Sequence, residues 1–153
     1  TPGQGTCFRL LFPCVEGGEE APSEMKETVA LTGTETVLVV EDEDAVREMA
    51  RRVLLKHGFH VLEAGNAGEA LLVCEQHAGL VALMVSDVVM PQMNGPALWR
   101  RLQPLQPEMK ILFISGYTEP KILKKEILDK KHPILYKPFR PEELIKRVKE
   151  VLG

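Results

Sequence analysis

The sequence predicts an α/β domain built on a doubly wound, five-stranded parallel sheet. Two observations carry that expectation. Short apolar runs recur along the chain: TVLVV (36–40), FHVLEA (59–64), LVALMVSD (80–87), KILFIS (110–115) and PILYK (133–137). Between them, apolar residues repeat at the spacing of one helix face. A third observation points to function. Several of these runs end on an acid, a hydroxyl or a lysine.

Taken in order, TVLVV is continuous and β-branched, as a strand buried on both faces requires. Val46, Met49, Ala50, Val53 and Leu54 then mark a helix, which Gly58 closes. After FHVLEA, the residues Ala67, Ala70, Leu71 and Cys74 mark a second helix. A third runs from about Gly95 to Gln103, stopping before Pro104. Ile122, Leu123 and Ile127 place a fourth after KILFIS. The last carries Leu144, Ile145, Val148, Val151 and Leu152 on one stripe, with Pro141 suited to its first turn.

The chain has 153 residues, room for one ordinary domain and a short extension. A composition 44% hydrophobic and 27% charged is that of a globular protein. The formal net charge of −3 argues against a nucleic-acid surface, which would be basic. Cys7, Cys14 and Cys74 are odd in number and lack metal-ligand spacing, so free thiols in a reducing compartment are expected. No apolar run approaches the roughly 18 residues of a membrane span, and no signal peptide is visible. The expected location is cytoplasmic, without membrane contact.

Residues at the carboxyl ends of the strands share one side of such a sheet, where ligands bind at the switch in strand order. The first strand leads into Glu41 and Asp42, and the third ends in Asp87. The fourth ends in Ser115, the fifth in Lys137 before Pro138. Clustered carboxylates repel, which implies a cation among them. Oxygen ligands select a hard ion, and Mg²⁺ suits few carboxylates, several waters and a phosphate oxygen. Lys137 could hold a second anionic group, and Ser115 could donate to it. The set describes a carboxylate nucleophile accepting a phosphoryl group, with Mg²⁺ and Lys137 neutralising charge. Singly, each residue has a plainer reading. EDED suits a helix N-terminus, Ser115 a turn, and Lys137 a solvated surface. Asp87, closing a buried strand, does not fit a plain reading well.

The motifs VLVVEDED, SDVVMPQMNG, ILFISGYTE and YKPF, in this order and spacing, resemble the receiver domain of two-component response regulators across roughly residues 36 to 152. The resemblance implies a flavodoxin-like (βα)5 fold with strand order 2-1-3-4-5. It implies Asp87 as phosphoacceptor, Glu41 and Asp42 as the acidic Mg²⁺ pair, and a metal ligand from the Val89 main-chain carbonyl. Ser115 becomes the switch hydroxyl, Lys137 the family's lysine, and the Lys137–Pro138 bond is expected to be cis. Two departures stand out. Glu41 replaces the more usual Asp, and Ile134 stands where well-known members carry an aromatic, with Tyr136 elsewhere on the strand.

PGQGTCFRLLFP (2–13) resembles the end of a histidine kinase ATP-binding domain, so Gly3, Gly5 and Thr6 would be a fragment of its phosphate loop. A flexible Gly-rich leader is the alternative. The expected organisation is a kinase fragment over 1–14, a linker over 15–35 and a receiver over 36–153, as in hybrid sensor kinases. No DNA-binding output domain is expected after residue 153. The phosphodonor would be a phosphohistidine of a histidine kinase or histidine phosphotransfer protein, and a homodimer is left open. The receiver alone would catalyse only its own phosphorylation and dephosphorylation. Two rivals are a haloacid dehalogenase-type phosphatase, using Asp42-x-Asp44, and a non-phosphorylated pseudo-receiver working as an interaction module.

Overall fold

A computed structural model describes residues 33–116 and 132–153. Its elements are β1 (Thr36–Val40), α1 (Asp44–Lys56), β2 (His60–Ala64), α2 (Ala67–Gln76), β3 (Leu83–Asp87), α3 (Gly95–Leu102), β4 (Lys110–Ser115), β5 (Ile134–Tyr136) and α4 (Pro141–Leu152). All strand pairs are parallel, in the order β2-β1-β3-β4-β5. The expected fold class and strand order therefore hold. The helix expected at Ile122, Leu123 and Ile127 lies outside the described residues, as do Cys7, Cys14 and the whole of FRLLFP.

Alternation along the central strands explains why they read as continuous apolar runs. Val37 and Val39 of β1 enter one core with Ala50 and Leu54 of α1 and Leu144 and Val148 of α4. Leu38 and Val40 enter the other, with Ala67, Ala70 and Cys74 of α2 and Leu98, Trp99 and Leu102 of α3. Among the described residues, each face of the sheet is thus covered by two helices, and neither face of β1 can be polar. The edge strand β2 differs as an edge should. His60 and Glu63 are exposed, and Glu63 pairs with Arg51 of α1 at 3.4 Å.

Helix boundaries follow local chemistry. Gly58 takes the left-handed conformation (φ 88°) that stops α1, its N–H donating to the Leu55 carbonyl at 3.0 Å. Asn66 and Asn94 cap α2 and α3 by accepting from the Glu69 and Ala97 N–H groups at 2.9 and 2.8 Å. Pro141 opens α4, where its missing N–H costs nothing, and Glu143 accepts from the Arg140 N–H at 2.7 Å. Burial pushes the Cys74 thiol above its usual range, in keeping with a buried free thiol.

Candidate functional site

The strand order reverses between β1 and β3, and the crevice at their carboxyl ends is where the expected residues gather. The chain leaves β1 through Glu41, which is 1% exposed, and then Asp42, which faces solvent. Asp87 closes β3 and is 8% exposed. Carboxylate oxygens of Glu41, Asp42 and Asp87 lie within 4.8 Å of one another.

Lys137 reaches this cluster from the far side of the sheet. Its N–H donates to the Ser115 carbonyl at 2.8 Å, extending the β4–β5 ladder by one bond, and the next peptide, Lys137–Pro138, is cis as expected. The ammonium donates to Asp87 Oδ2 at 2.6 Å and to Glu41 Oε2 and Oε1 at 2.8 and 3.1 Å. Asp87 is held from both sides, because the Val89 N–H donates to its Oδ1 at 2.9 Å. Asp87 is thus affordable at a strand end because Lys137 and a main-chain N–H engage both its oxygens.

Electrostatics follow from this packing. Burial raises the Glu41 carboxyl above its ordinary value; Asp87's charge adds to that, and Lys137 opposes it without cancelling it. For Lys137, burial favours the neutral amine. Hydrogen bonds and charge from Asp87 and Glu41 outweigh burial and hold the ammonium above its ordinary range.

Close approach of β3 to α3 fixes the backbone under Asp87. A Cβ at Gly95 would lie 2.3 Å from the Asp87 carbonyl oxygen and 2.8 Å from Ser86 Oγ, so only glycine fits. Between them, Gln92 adopts a left-handed conformation (φ 68°) in the turn.

The structure brings Glu41, Asp42, Asp87 and Lys137 together. Ser115 lies buried at the same sheet end, but its Oγ donates to the Gly116 carbonyl at 3.1 Å. The sequence assigns Lys137 an anionic group to hold and does not predict its direct contact with Glu41. Arg47 was missed as well. Its Nη1 donates to the Glu41 carbonyl at 2.7 Å, and no periodic signal marks a side chain that returns to a main-chain oxygen.

Residues 37–149 match the response regulator receiver domain family. The chain belongs to that family. The sensor kinase CckA of Brucella abortus is 41% identical over 98% of this chain, which spans 17% of that protein's length. The chemotaxis protein CheY of Bacillus subtilis is 24% identical over 76% of this chain and 97% of its own. Among solved structures, the receiver domain of the hybrid histidine kinase CckA is 36% identical over 77% of this chain and 99% of its own, with a TM-score of 0.65. A chemotaxis response regulator of Vibrio cholerae is 27% identical over 78% and 99%, with a TM-score of 0.67.

This receiver domain of a two-component system does not favour either rival. The dehalogenase reading needs Asp44 in the site, yet Asp44 is 91% exposed in the first turn of α1 and pairs with Arg47. The presence of Asp87 and Lys137 in contact does not favour an interaction-only module. Among the described residues, no helix is long and apolar enough to cross a membrane.

Proposed function

We propose that Asp87 is the phosphoacceptor of this receiver domain and that phosphohistidine is its donor. The donor histidine would belong to a histidine kinase or a histidine phosphotransfer protein. The observation that carries the reading is Lys137, whose ammonium contacts Asp87 and Glu41 at once. In the transfer, one Asp87 carboxylate oxygen forms a bond to phosphorus while the phosphorus–nitrogen bond of the donor breaks. Its electron pair leaves with the imidazole nitrogen. Lys137, freed from one carboxylate, is placed to pair with the incoming phosphoryl oxygens. Ser115, rotating away from the Gly116 carbonyl, can donate to the same group and couple the site to a changed surface.

The donor set fits Mg²⁺: three all-oxygen carboxylates within one small cluster, two of them buried. Glu41, Asp42, Asp87 and the Val89 main-chain carbonyl would hold it. Bound there, Mg²⁺ supplies positive charge against the phosphoryl oxygens.

Similarity to the Brucella sensor kinase along 98% of the chain supports a hybrid kinase origin. Residues 1–14 are then the end of an ATP-binding domain, 15–35 a linker and 36–153 the receiver.

The test is incubation with acetyl phosphate, with and without Mg²⁺, read by intact mass. A gain of one phosphoryl group is expected only when Mg²⁺ accompanies acetyl phosphate. It should vanish in Asp87→Asn and fall sharply in Asp42→Ala. Labelling of Asp87→Asn at the original rate would remove Asp87 from its role.

A further inference from the structure

We infer that Arg47 is a positioning residue for the acidic pair: it grips the main chain of Glu41, so that the turn after β1 presents the Glu41 and Asp42 carboxylates to the crevice. This rests on the reading of that pair as metal ligands given above.

Among the described residues, the main chain from Glu41 to Glu43 has few other restraints. The last ladder bond of β1 runs from the Glu41 N–H to the Ala64 carbonyl at 3.2 Å. Past it, the Glu41 carbonyl has left the sheet. Glu43, the residue before α1, offers no side-chain cap, and its N–H reaches Glu41 Oε1 only at 3.3 Å. Against these long contacts, the 2.7 Å charge-assisted bond from Arg47 Nη1 to the Glu41 carbonyl is the short one.

Arg47 is itself well held. Its Nη2 pairs with Asp44, and the side chain is only 20% exposed. A Cβ on Gly65 would lie 3.4 Å from Nη1, so the guanidinium lies against the turn between β2 and α2. A planar fork holds two acceptors in fixed directions, which a lysine cannot reproduce. Glu41 is therefore gripped at both ends, its carbonyl by Arg47 and its carboxylate by Lys137.

Charge and position predict opposite results. Arg47 is a cation beside an acidic cluster, so by Coulomb's law alone its removal would strengthen attraction for a divalent cation. Loss of positioning weakens it. The experiment titrates Mg²⁺ into the full chain, Arg47→Gln, Arg47→Lys and Asp42→Ala by calorimetry, with a thermal melt of each.

Arg47→Gln is expected to bind Mg²⁺ roughly tenfold or more weakly, the range for a lost partner of metal ligands. Arg47→Lys should fall between it and the original chain. Saturating Mg²⁺ should restore the phosphorylation rate from acetyl phosphate in both, which general damage to the fold would not allow. If Arg47→Gln does not fold, Arg47→Lys carries the test, because it too must bind more weakly than the original. Equal or tighter binding in a variant that melts like the original overturns the inference. If Asp42→Ala loses binding while Arg47→Gln keeps it, only the role of Arg47 fails. If the unsubstituted chain does not bind Mg²⁺, the acidic pair is not a metal site and both readings fall.

Discussion

Lys137 answers to two carboxylates with one charge, and its value lies in that sharing. Its side chain is 24% exposed, that of Glu41 2% and that of Asp87 12%, so water screens the pair on one side only. Replacing Lys137 by Met leaves both acids without their counter-charge. The expected cost is about 1–3 kcal/mol near neutral pH, the price of stranding partly buried polar groups. Because the folded state holds the ammonium above its ordinary value of 10.5, this contribution is fully present below that pH and is lost as pH rises through the higher folded value. Denaturant melts of the original and Lys137→Met, at neutral pH and above pH 10.5, check this. The gap between the two proteins should narrow at the alkaline end; a constant gap would mean that packing of the lysine stem, not its charge, matters.

At the scale of elements, the join between β3 and α3 is the tightest constraint on Asp87. Gly95→Ala would press a methyl into the Asp87 carbonyl, which is main chain and has no rotamer to yield. We expect a loss of about 1–3 kcal/mol in stability, as overpacking costs. Phosphorylation from acetyl phosphate should slow as well, since the Asp87 backbone must shift. Unchanged stability and rate would mean that the turn relaxes without moving Asp87. The elements themselves were legible where burial makes them periodic: β1, α1 and α4 follow from their apolar spacing. Strand ends were less so. LVALMVSD reads as one run, yet the strand begins at Leu83: Leu80 is 75% exposed, while Val81 is buried and Ala82 already bonds to Thr36 and Lys110. Apolar character alone does not say whether a leucine is covered. Pro133 and Lys137 both bond to β4 although β5 proper spans only Ile134–Tyr136, so that run was read at its hydrogen-bonded length. The convergence of Glu41, Asp42, Asp87 and Lys137 was legible because strand ends are countable. The Arg47–Glu41 bond was not, since a main-chain acceptor leaves no mark in the sequence.

For the whole molecule, the sheet separates the site from the point where the N-terminal segment joins. β1 lies between β2 and β3, and its carboxyl end opens onto the acidic crevice. Its amino end is therefore on the opposite side, about 16 Å away along a five-residue strand. Residues before β1 enter there, where the Gly33 N–H bonds to the His57 carbonyl at 3.1 Å. Both cores close, among the described residues, with side chains from Val37 onward. Removing residues 1–30 spares this hydrogen bond and both cores. The melting temperature and the labelling by acetyl phosphate should then stay close to those of the full chain. A scan of both proteins, with acetyl phosphate labelling of each, tests this. A drop of several degrees would place part of the segment inside the receiver fold and move the boundary proposed at residue 36. A loss of labelling at unchanged melting temperature would instead mean that the segment reaches around the sheet to the crevice.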